Sequence, residues 1–332
     1  MNASLSPVLK KHYSRIALAC FVFLAAALAA QYIAALLLGL LAPDLLRRGW
    51  FITALSFVCM YLVGFPLFLL LLPKAPAWLP EKRELGGAGE LFVCLLMCMG
   101  ILYPGNLLGQ GVTRLLGQLL GSSGSNPLEE YLERLELWSV ALFAVILAPV
   151  MEELIFRKLL LDRMRTIDRP TAILFSAMAF GLFHGNLSQF FYAFGAGILF
   201  GSIYVRTGRL RYTILLHILV NAIGSLVPML LQGDGEALSL EEILAEGEEA
   251  MPAVVENLPS MLGMGLFGLA VFCCTVAGIV LLIRRFPRLR QRSPEDRLPE
   301  PWTAFRTVFL TGGFAVFLLA SVLQMVLSLL FT

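Results

Sequence analysis

The sequence has 332 residues, of which 58% are hydrophobic and 14% charged, and a formal net charge of +2 at pH 7. Its mean hydropathy of +0.82 excludes an ordinary soluble globular domain. The composition predicts an all-α polytopic transmembrane helix bundle.

Apolar runs of roughly 20 residues, long enough to cross a bilayer, recur along the whole chain. Two neighbouring runs, 171–187 and 188–205, are short, so we expect eight or nine spans. In chain order the runs are 15–42, 50–72, 88–108, 137–161, 171–187, 188–205, 211–231, 260–283 and 304–331.

Four segments interrupt this pattern. The glycine-rich stretch 100–127 predicts a broken or re-entrant segment. Asn126 before Pro127 predicts the start of an amphipathic helix, and Ser239 predicts the cap of a short helix outside the membrane. The proline-containing stretch 284–303 is interpreted as a linker to the last span.

The basic residues indicate the orientation of the bundle. Basic clusters near 10–15, 157–169, 206–211 and 284–306 all fall on one side when the spans alternate, and the acidic loop 234–256 falls on the other. Because cytoplasmic loops carry the excess of lysine and arginine, we expect the N-terminus in the cytoplasm and an integral protein of a bacterial plasma membrane.

Five ionisable residues lie inside or at the edge of apolar spans. An ionisable side chain in hydrocarbon costs several kcal/mol unless it is paired or lines a wet cavity. These residues are therefore expected to interact with one another. They are Glu152, Glu153, Arg157, His184 and His217.

The spacing of these residues allows them to meet. Asp168 and Pro170 predict a turn between two helices, and Glu152 and His184 each lie sixteen residues from Asp168. At a rise of ~1.5 Å per residue, both lie ~24 Å from that turn. A second hairpin turning near Gly208 brings His217 to a similar depth.

Within the helices, residues four apart share a face. This spacing predicts a salt bridge between Glu153 and Arg157, and a polar stripe formed by His217 and Asn221. Glu152 projects about 100° away from Glu153 and is free to face His184.

Such a group of side chains could carry out hydrolysis. A glutamate in an apolar cavity can act as a general base for water, and histidine and asparagine can donate hydrogen bonds to a developing oxyanion. Two imidazoles and a carboxylate could instead bind a divalent metal such as zinc. The residues alone leave the cofactor open.

Three motifs carry a family resemblance. "EELIFR" at 152–157, "FGLFH" at 180–184 and "HILVN" at 217–221 resemble the EExxxR, FxxxH and HxxxN signatures of the CPBP intramembrane proteases. That family includes type II CAAX prenyl endopeptidases and bacteriocin-processing and immunity proteins. Phe180 is interpreted as a packing residue.

The resemblance implies a CAAX-protease-like peptidase of metallo- or glutamate-type. Glu152 would activate water with His184 as its partner, and His217 and Asn221 would be the oxyanion donors. Glu153 and Arg157 would order the site. The chain would divide into N-terminal membrane helices (1–125), a catalytic core (126–232), and an outside acidic loop with C-terminal membrane helices (233–332).

Two alternatives stay open. One is a non-catalytic immunity or scaffold protein of the same fold, and the other is a proton-coupled transporter, in which carboxylates and histidines relay protons. The expected partners are membrane lipids and a membrane-associated protein or peptide substrate, and no nucleic acid.

Overall fold

The computed structural model describes residues 5–74, 82–122, 124, 135–164, 168–232, 251–289 and 301–330. All regular secondary structure in these ranges is helical, and eight helices are long and apolar enough to cross a membrane, which confirms the all-α polytopic bundle. The helices are α1 (Leu5–Leu41), α2 (Gly49–Leu71), α3 (Ala88–Leu120), α4 (Leu137–Met164), α5 (Arg169–Phe183), α6 (Leu187–Thr207), α7 (Leu210–Gln232), α8 (Met251–Leu289), α9 (Pro301–Phe309) and α10 (Gly312–Leu330).

Helix α5 explains the difference between eight and nine predicted spans. It has 15 residues, or about 22 Å of length, which is less than the ~30 Å of a hydrocarbon core. Its start is the one predicted, because the Asp168 side chain accepts a hydrogen bond from the Thr171 backbone N–H at 3.1 Å. The second predicted turn is also confirmed, since Gly208 ends α6 with a φ of +62°.

Several helix ends meet at one end of the bundle, called here the basic end. The His12 ring lies 3.3 Å from the Arg163 carbonyl oxygen, and the Arg163 Nε donates to the Pro73 carbonyl at 2.7 Å. The Arg83 backbone N–H donates to the Thr207 carbonyl at 2.8 Å. The first two contacts join the start of α1 to the ends of α4 and α2, and the third joins the segment before α3 to the end of α6.

A charged cluster at the basic end ties the segment before α3 to the loop between α6 and α7. Glu84 pairs with Arg209 at 2.8 Å and with Arg211 at 2.7 Å, and it also accepts a hydrogen bond from the Tyr212 hydroxyl. The Tyr212 hydrogen bond, together with the two guanidinium groups, lowers the pKa of Glu84. The basic cluster expected from the sequence is therefore partly neutralised within the fold.

Helix α3 corrects one prediction. The glycine-rich stretch 100–127 is not broken where it is described, because α3 runs without interruption through Pro104 to Leu120. Its glycines serve close packing instead: a Cβ added at Gly100 would lie 2.5 Å from the Gly278 carbonyl carbon of α8. Small residues let membrane helices approach each other closely, and this is the physical reason for the glycines here.

The last predicted span, 304–331, is also corrected. It consists of two helices, α9 and α10, that separate at Leu310 and Thr311. The Thr311 hydroxyl accepts a hydrogen bond from the Phe314 backbone N–H at 3.3 Å and so caps α10. The helices predicted to begin at Asn126 and Ser239 fall mainly or wholly outside the described residues, as does most of the 284–303 linker, of which α8 covers the first residues.

Three of the long helices contain wider π-helical turns, in which the backbone hydrogen bonds skip one additional residue. They occupy Cys59–Gly64 in α2, Val140–Leu147 and Leu154–Leu161 in α4, and Ala222–Leu226 in α7. The motif glutamates lie in the single α-helical turn, Ala148–Glu153, that separates the two π segments of α4. Hydrophobic periodicity does not predict these changes of helical pitch.

The crossing of α3 and α8 provides a test of the packing. We expect Gly278→Ala to lower the free energy of unfolding by about 1–3 kcal/mol, because its methyl group would meet the Leu96 carbonyl oxygen on α3. Gly268→Ala is the matched control on the same helix, since a Cβ there has no neighbour within 4 Å. The measurement is the melting temperature in detergent, and an equal shift in both variants would contradict the packing role.

Candidate active site

A buried ion pair lies at the centre of the site. Glu153 and Arg157, one turn apart on α4, are both fully buried, with Arg157 Nε 3.0 Å from Glu153 Oε2 and Nη2 3.4 Å from Oε1. The remaining guanidinium nitrogen donates to the Ser176 hydroxyl at 2.9 Å, and Ser176 donates to the Phe156 carbonyl at 2.8 Å. The pair therefore links α4 to α5 through hydrogen bonds that satisfy its donors.

Two aromatic rings flank the guanidinium group. The Arg157 Cζ lies 5.0 Å from the centre of the Phe180 ring and 5.9 Å from that of Phe200. Phe180 also makes edge contacts with the rings of His184 and His217, at 5.0 and 5.7 Å between centroids. Phe180 thus packs, as predicted, but it packs on the charged and imidazole groups, where cation–π attraction adds to the burial of its ring.

His217 connects the two adjacent glutamates. Its Nδ1 lies 3.2 Å from Glu153 Oε1, and its Nε2 lies 3.6 Å from Glu152 Oε2. Because an ionised carboxylate only accepts hydrogen bonds, Nδ1 carries a proton and donates a hydrogen bond to Glu153. The other ring nitrogen consequently faces Glu152.

His184 lies at the tip of the hairpin formed by α5 and α6. Its Nδ1 is 2.8 Å from the Phe180 carbonyl oxygen, and since a carbonyl only accepts, Nδ1 is the donor. The turn that follows uses Gly185 with a φ of +68°, and the Asn186 side chain donates to the His184 carbonyl at 2.9 Å. These bonds hold the imidazole so that Nε2 is the nitrogen left for a ligand or substrate.

Glu152 and His184 line a common cavity of about 90 Å³. The volume is sufficient for water. The Glu152 side chain is 24% exposed, whereas that of Glu153 is 0% exposed, so only one of the two glutamates is accessible. The cavity is lined by Phe23, Met60, Tyr61, Glu152, Ile155, Phe156, Phe180, Phe183 and His184.

Asn221 has a different position from the other motif residues. Its amide nitrogen donates to the Ala144 carbonyl at 2.9 Å and so ties α7 to the first π segment of α4. It lies one turn beyond His217 on α7, and neither Asn221 nor His217 is among the residues that line the cavity, although His217 contacts Glu152 directly. One of its two amide hydrogens is engaged in this bond, and the second is left to donate.

Some residues at the site were not predicted from the sequence. Ser176 precedes Phe180 by four residues on α5, and this spacing was a signal that places it on the same helix face. Met60 and Tyr61 on α2 and Phe23 on α1 gave no such signal, because they lie far from the motifs in the chain. Their position at the cavity is a property of the tertiary structure.

The donors present do not define a metal centre. Among the described residues, no group of three histidine, cysteine, aspartate or glutamate side chains is close enough together to hold a metal ion. His217 Nε2 and Glu152 Oε2 form only a pair.

The fold defines a polytopic all-α membrane protein, with a cavity that is lined by Glu152 and His184. Residues 134–223 match the family model described as Rce1-like, type II CAAX prenyl endopeptidase Rce1-like. The match supports the resemblance of the segment that carries the three motifs to the CPBP family, and it covers roughly a quarter of the chain. Searches of curated proteins and of solved structures give no significant match.

The two glutamates are expected to differ in their effect on stability. Glu153→Ala leaves Arg157 buried without its partner, and losing one member of a buried pair typically costs about 3–5 kcal/mol. Glu152→Gln is nearly isosteric at an accessible position and should leave the stability close to that of the wild type. Melting temperatures in detergent measure both, and equal losses would contradict this division between the two residues.

Proposed function

We propose that the protein is an intramembrane endopeptidase that hydrolyses a peptide bond of a membrane-associated protein or peptide. The observation that carries this proposal is the accessible Glu152 carboxylate, which shares a cavity with His184 and lies beside His217. The match to a CAAX prenyl endopeptidase family model supports a protease-type reaction.

Glu152 is the proposed general base. A water molecule in the cavity donates one hydrogen bond to Glu152 and the other to His184 Nε2, and its oxygen attacks the scissile carbonyl carbon. Glu152 accepts the proton released in that attack. It then passes the proton to the amide nitrogen as the C–N bond breaks, so that the products are a carboxylic acid and an amine.

His217 is the proposed oxyanion donor, assisted by the second N–H of Asn221. His217 lies between two carboxylates, and a proton on each ring nitrogen lets it donate to Glu153 through Nδ1 and to the oxyanion through Nε2. Such preorganised donors stabilise the charge that develops in the transition state.

The two alternative functions, a non-catalytic scaffold and a transporter, would require different features of these residues. A non-catalytic scaffold of the same fold would need the sealed Glu153–Arg157 pair but would have no use for a cavity at Glu152. A transporter would need the polar residues to connect to both sides of the membrane. No contact in the described part of the chain favours either alternative over hydrolysis.

Loss of the base is the direct test. We expect Glu152→Gln to reduce cleavage by at least ~10²-fold, the lower range for removal of a general base. Membranes from cells expressing wild type, Glu152→Gln and the control Glu256→Gln, an exposed glutamate on α8, are compared by proteomic identification of new peptide termini. Termini that appear equally with all three variants would contradict the proposal.

We further propose that the basic end faces the cytoplasm and that substrate enters from the cytosol or the inner leaflet. The basic clusters support this orientation through the positive-inside rule. A helical backbone shields its carbonyls, so the scissile bond is expected in an extended tail or juxtamembrane segment of the substrate.

Cysteine labelling tests this orientation. In a chain whose six native cysteines are replaced, His184→Cys should react with a water-soluble thiol reagent in inside-out vesicles and hardly at all in right-side-out vesicles. Asp44→Cys, at an exposed position between α1 and α2 on the opposite end of the bundle, should show the reverse. An exchange of these two patterns would overturn the proposed orientation.

A further inference from the structure

Tyr61 is a polar residue of the cavity that belongs to none of the three motifs. It lies on α2, outside the segment that matches the family model, yet it lines the same cavity as Glu152 and His184. Tyr61 is therefore within the space in which the reacting atoms would lie.

The Tyr61 hydroxyl makes no hydrogen bond to another residue in the described part of the chain. A hydroxyl in apolar surroundings costs free energy unless it finds a hydrogen-bonding partner. Here the surroundings are Phe23, Met60 and other apolar side chains. Because Tyr61 lines the cavity, a molecule that occupies the cavity can supply a partner for this hydroxyl.

The local backbone presents Tyr61 to the cavity. Met60 and Tyr61 are consecutive residues in the π segment Cys59–Gly64, and both line the cavity. Such π turns inside α-helices are frequent at functional sites. The π segment therefore contributes two residues to the cavity lining, the apolar Met60 and the polar Tyr61.

Packing fixes the depth of Tyr61 relative to the rest of the site. A Cβ added at Gly64, one turn further along α2, would lie 2.9 Å from the Phe23 carbonyl oxygen, so α1 and α2 are in close contact there. The Phe23 ring lies 5.0 Å from that of Phe183, which precedes His184. The Tyr61 ring is also supported from the other side by Phe57, at 5.0 Å.

We propose that Tyr61 is a further catalytic residue, whose hydroxyl donates a hydrogen bond to the scissile carbonyl oxygen and to the oxyanion formed from it. This inference rests on the proposed endopeptidase function. The hydroxyl keeps its proton throughout, so the proton transfers through Glu152 are unchanged. A donor at this position complements Asn221, whose amide already donates to the Ala144 carbonyl outside the cavity.

Tyr192 provides a matched comparison. Its ring lies 6.4 Å from that of His184. However, its oxygen already accepts a hydrogen bond from the Gln189 side chain at 2.8 Å, and it is not among the residues that line the cavity. Tyr192→Phe thus removes a tyrosine hydroxyl close to the site that the proposal does not place on the substrate.

The experiment uses the full chain in liposomes and an internally quenched peptide that is anchored in the bilayer by a fatty acyl chain and has an extended tail. We expect Tyr61→Phe to lower kcat and kcat/KM by a similar factor of ~10², as for loss of one oxyanion donor. KM and the melting temperature should stay close to the wild-type values. Tyr192→Phe should change kcat by less than about threefold, well short of the loss of an oxyanion donor.

The outcomes separate this inference from the proposed function. If Glu152→Gln does not abolish cleavage of the peptide, the endopeptidase mechanism and the role of Tyr61 both fail. If Glu152→Gln abolishes cleavage but Tyr61→Phe keeps the wild-type kcat, only the role of Tyr61 is overturned. Equal losses of kcat in Tyr61→Phe and Tyr192→Phe, or a loss of melting temperature that accompanies the loss of activity, would also overturn it.

Discussion

The buried ion pair between Glu153 and Arg157 is the interaction on which the rest of this site depends. Two charges removed from water carry a desolvation cost of several kcal/mol each, and they are tolerated only with close pairing and further hydrogen bonds. Here the pairing is two-pronged, and Ser176 and His217 complete it from two other helices. The need to satisfy one buried arginine therefore determines how α4, α5 and α7 are placed.

The two adjacent glutamates have different roles, one structural and one chemical. Glu153 is sealed by Arg157 and His217, whereas Glu152 opens to the cavity. Because His217 contacts both residues, the sealed pair also orients the group that faces the accessible carboxylate. A substitution of Glu153 should therefore alter the orientation of His217 at the site, in addition to lowering the stability of the fold.

The helices outside the matched segment complete the cavity. α1 and α2 supply Phe23, Met60 and Tyr61 to its lining, and their close contact at Gly64 relates them to the hairpin that carries His184. On the other side of that hairpin, α10 places the Gln324 side chain against the turn at Gly185. The tip of the hairpin, whose first helix α5 is shorter than a membrane span, is in this way held by long helices around it.

The sequence by itself determined the features that depend only on residues close together in the chain. Runs of apolar residues predict the spans, Asp168 and Gly208 predict the two turns, and the four-residue spacing predicts the pair between Glu153 and Arg157. These inferences hold because helix length, capping and side-chain spacing depend on neighbouring residues alone.

Only the tertiary structure decided which distant residues meet. Gly100 of α3 is explained by a contact with Gly278 on α8, and the amide of Asn221 by a carbonyl on α4. The π segments, and with them the presentation of Tyr61, are further features that hydrophobic periodicity does not encode. The reason is physical: in a membrane, almost every helix face is apolar, so the sequence pattern of a helix does not specify which neighbour it packs against. That choice is made by close contact, by the satisfaction of a few buried polar groups, and by the cavity that these leave open.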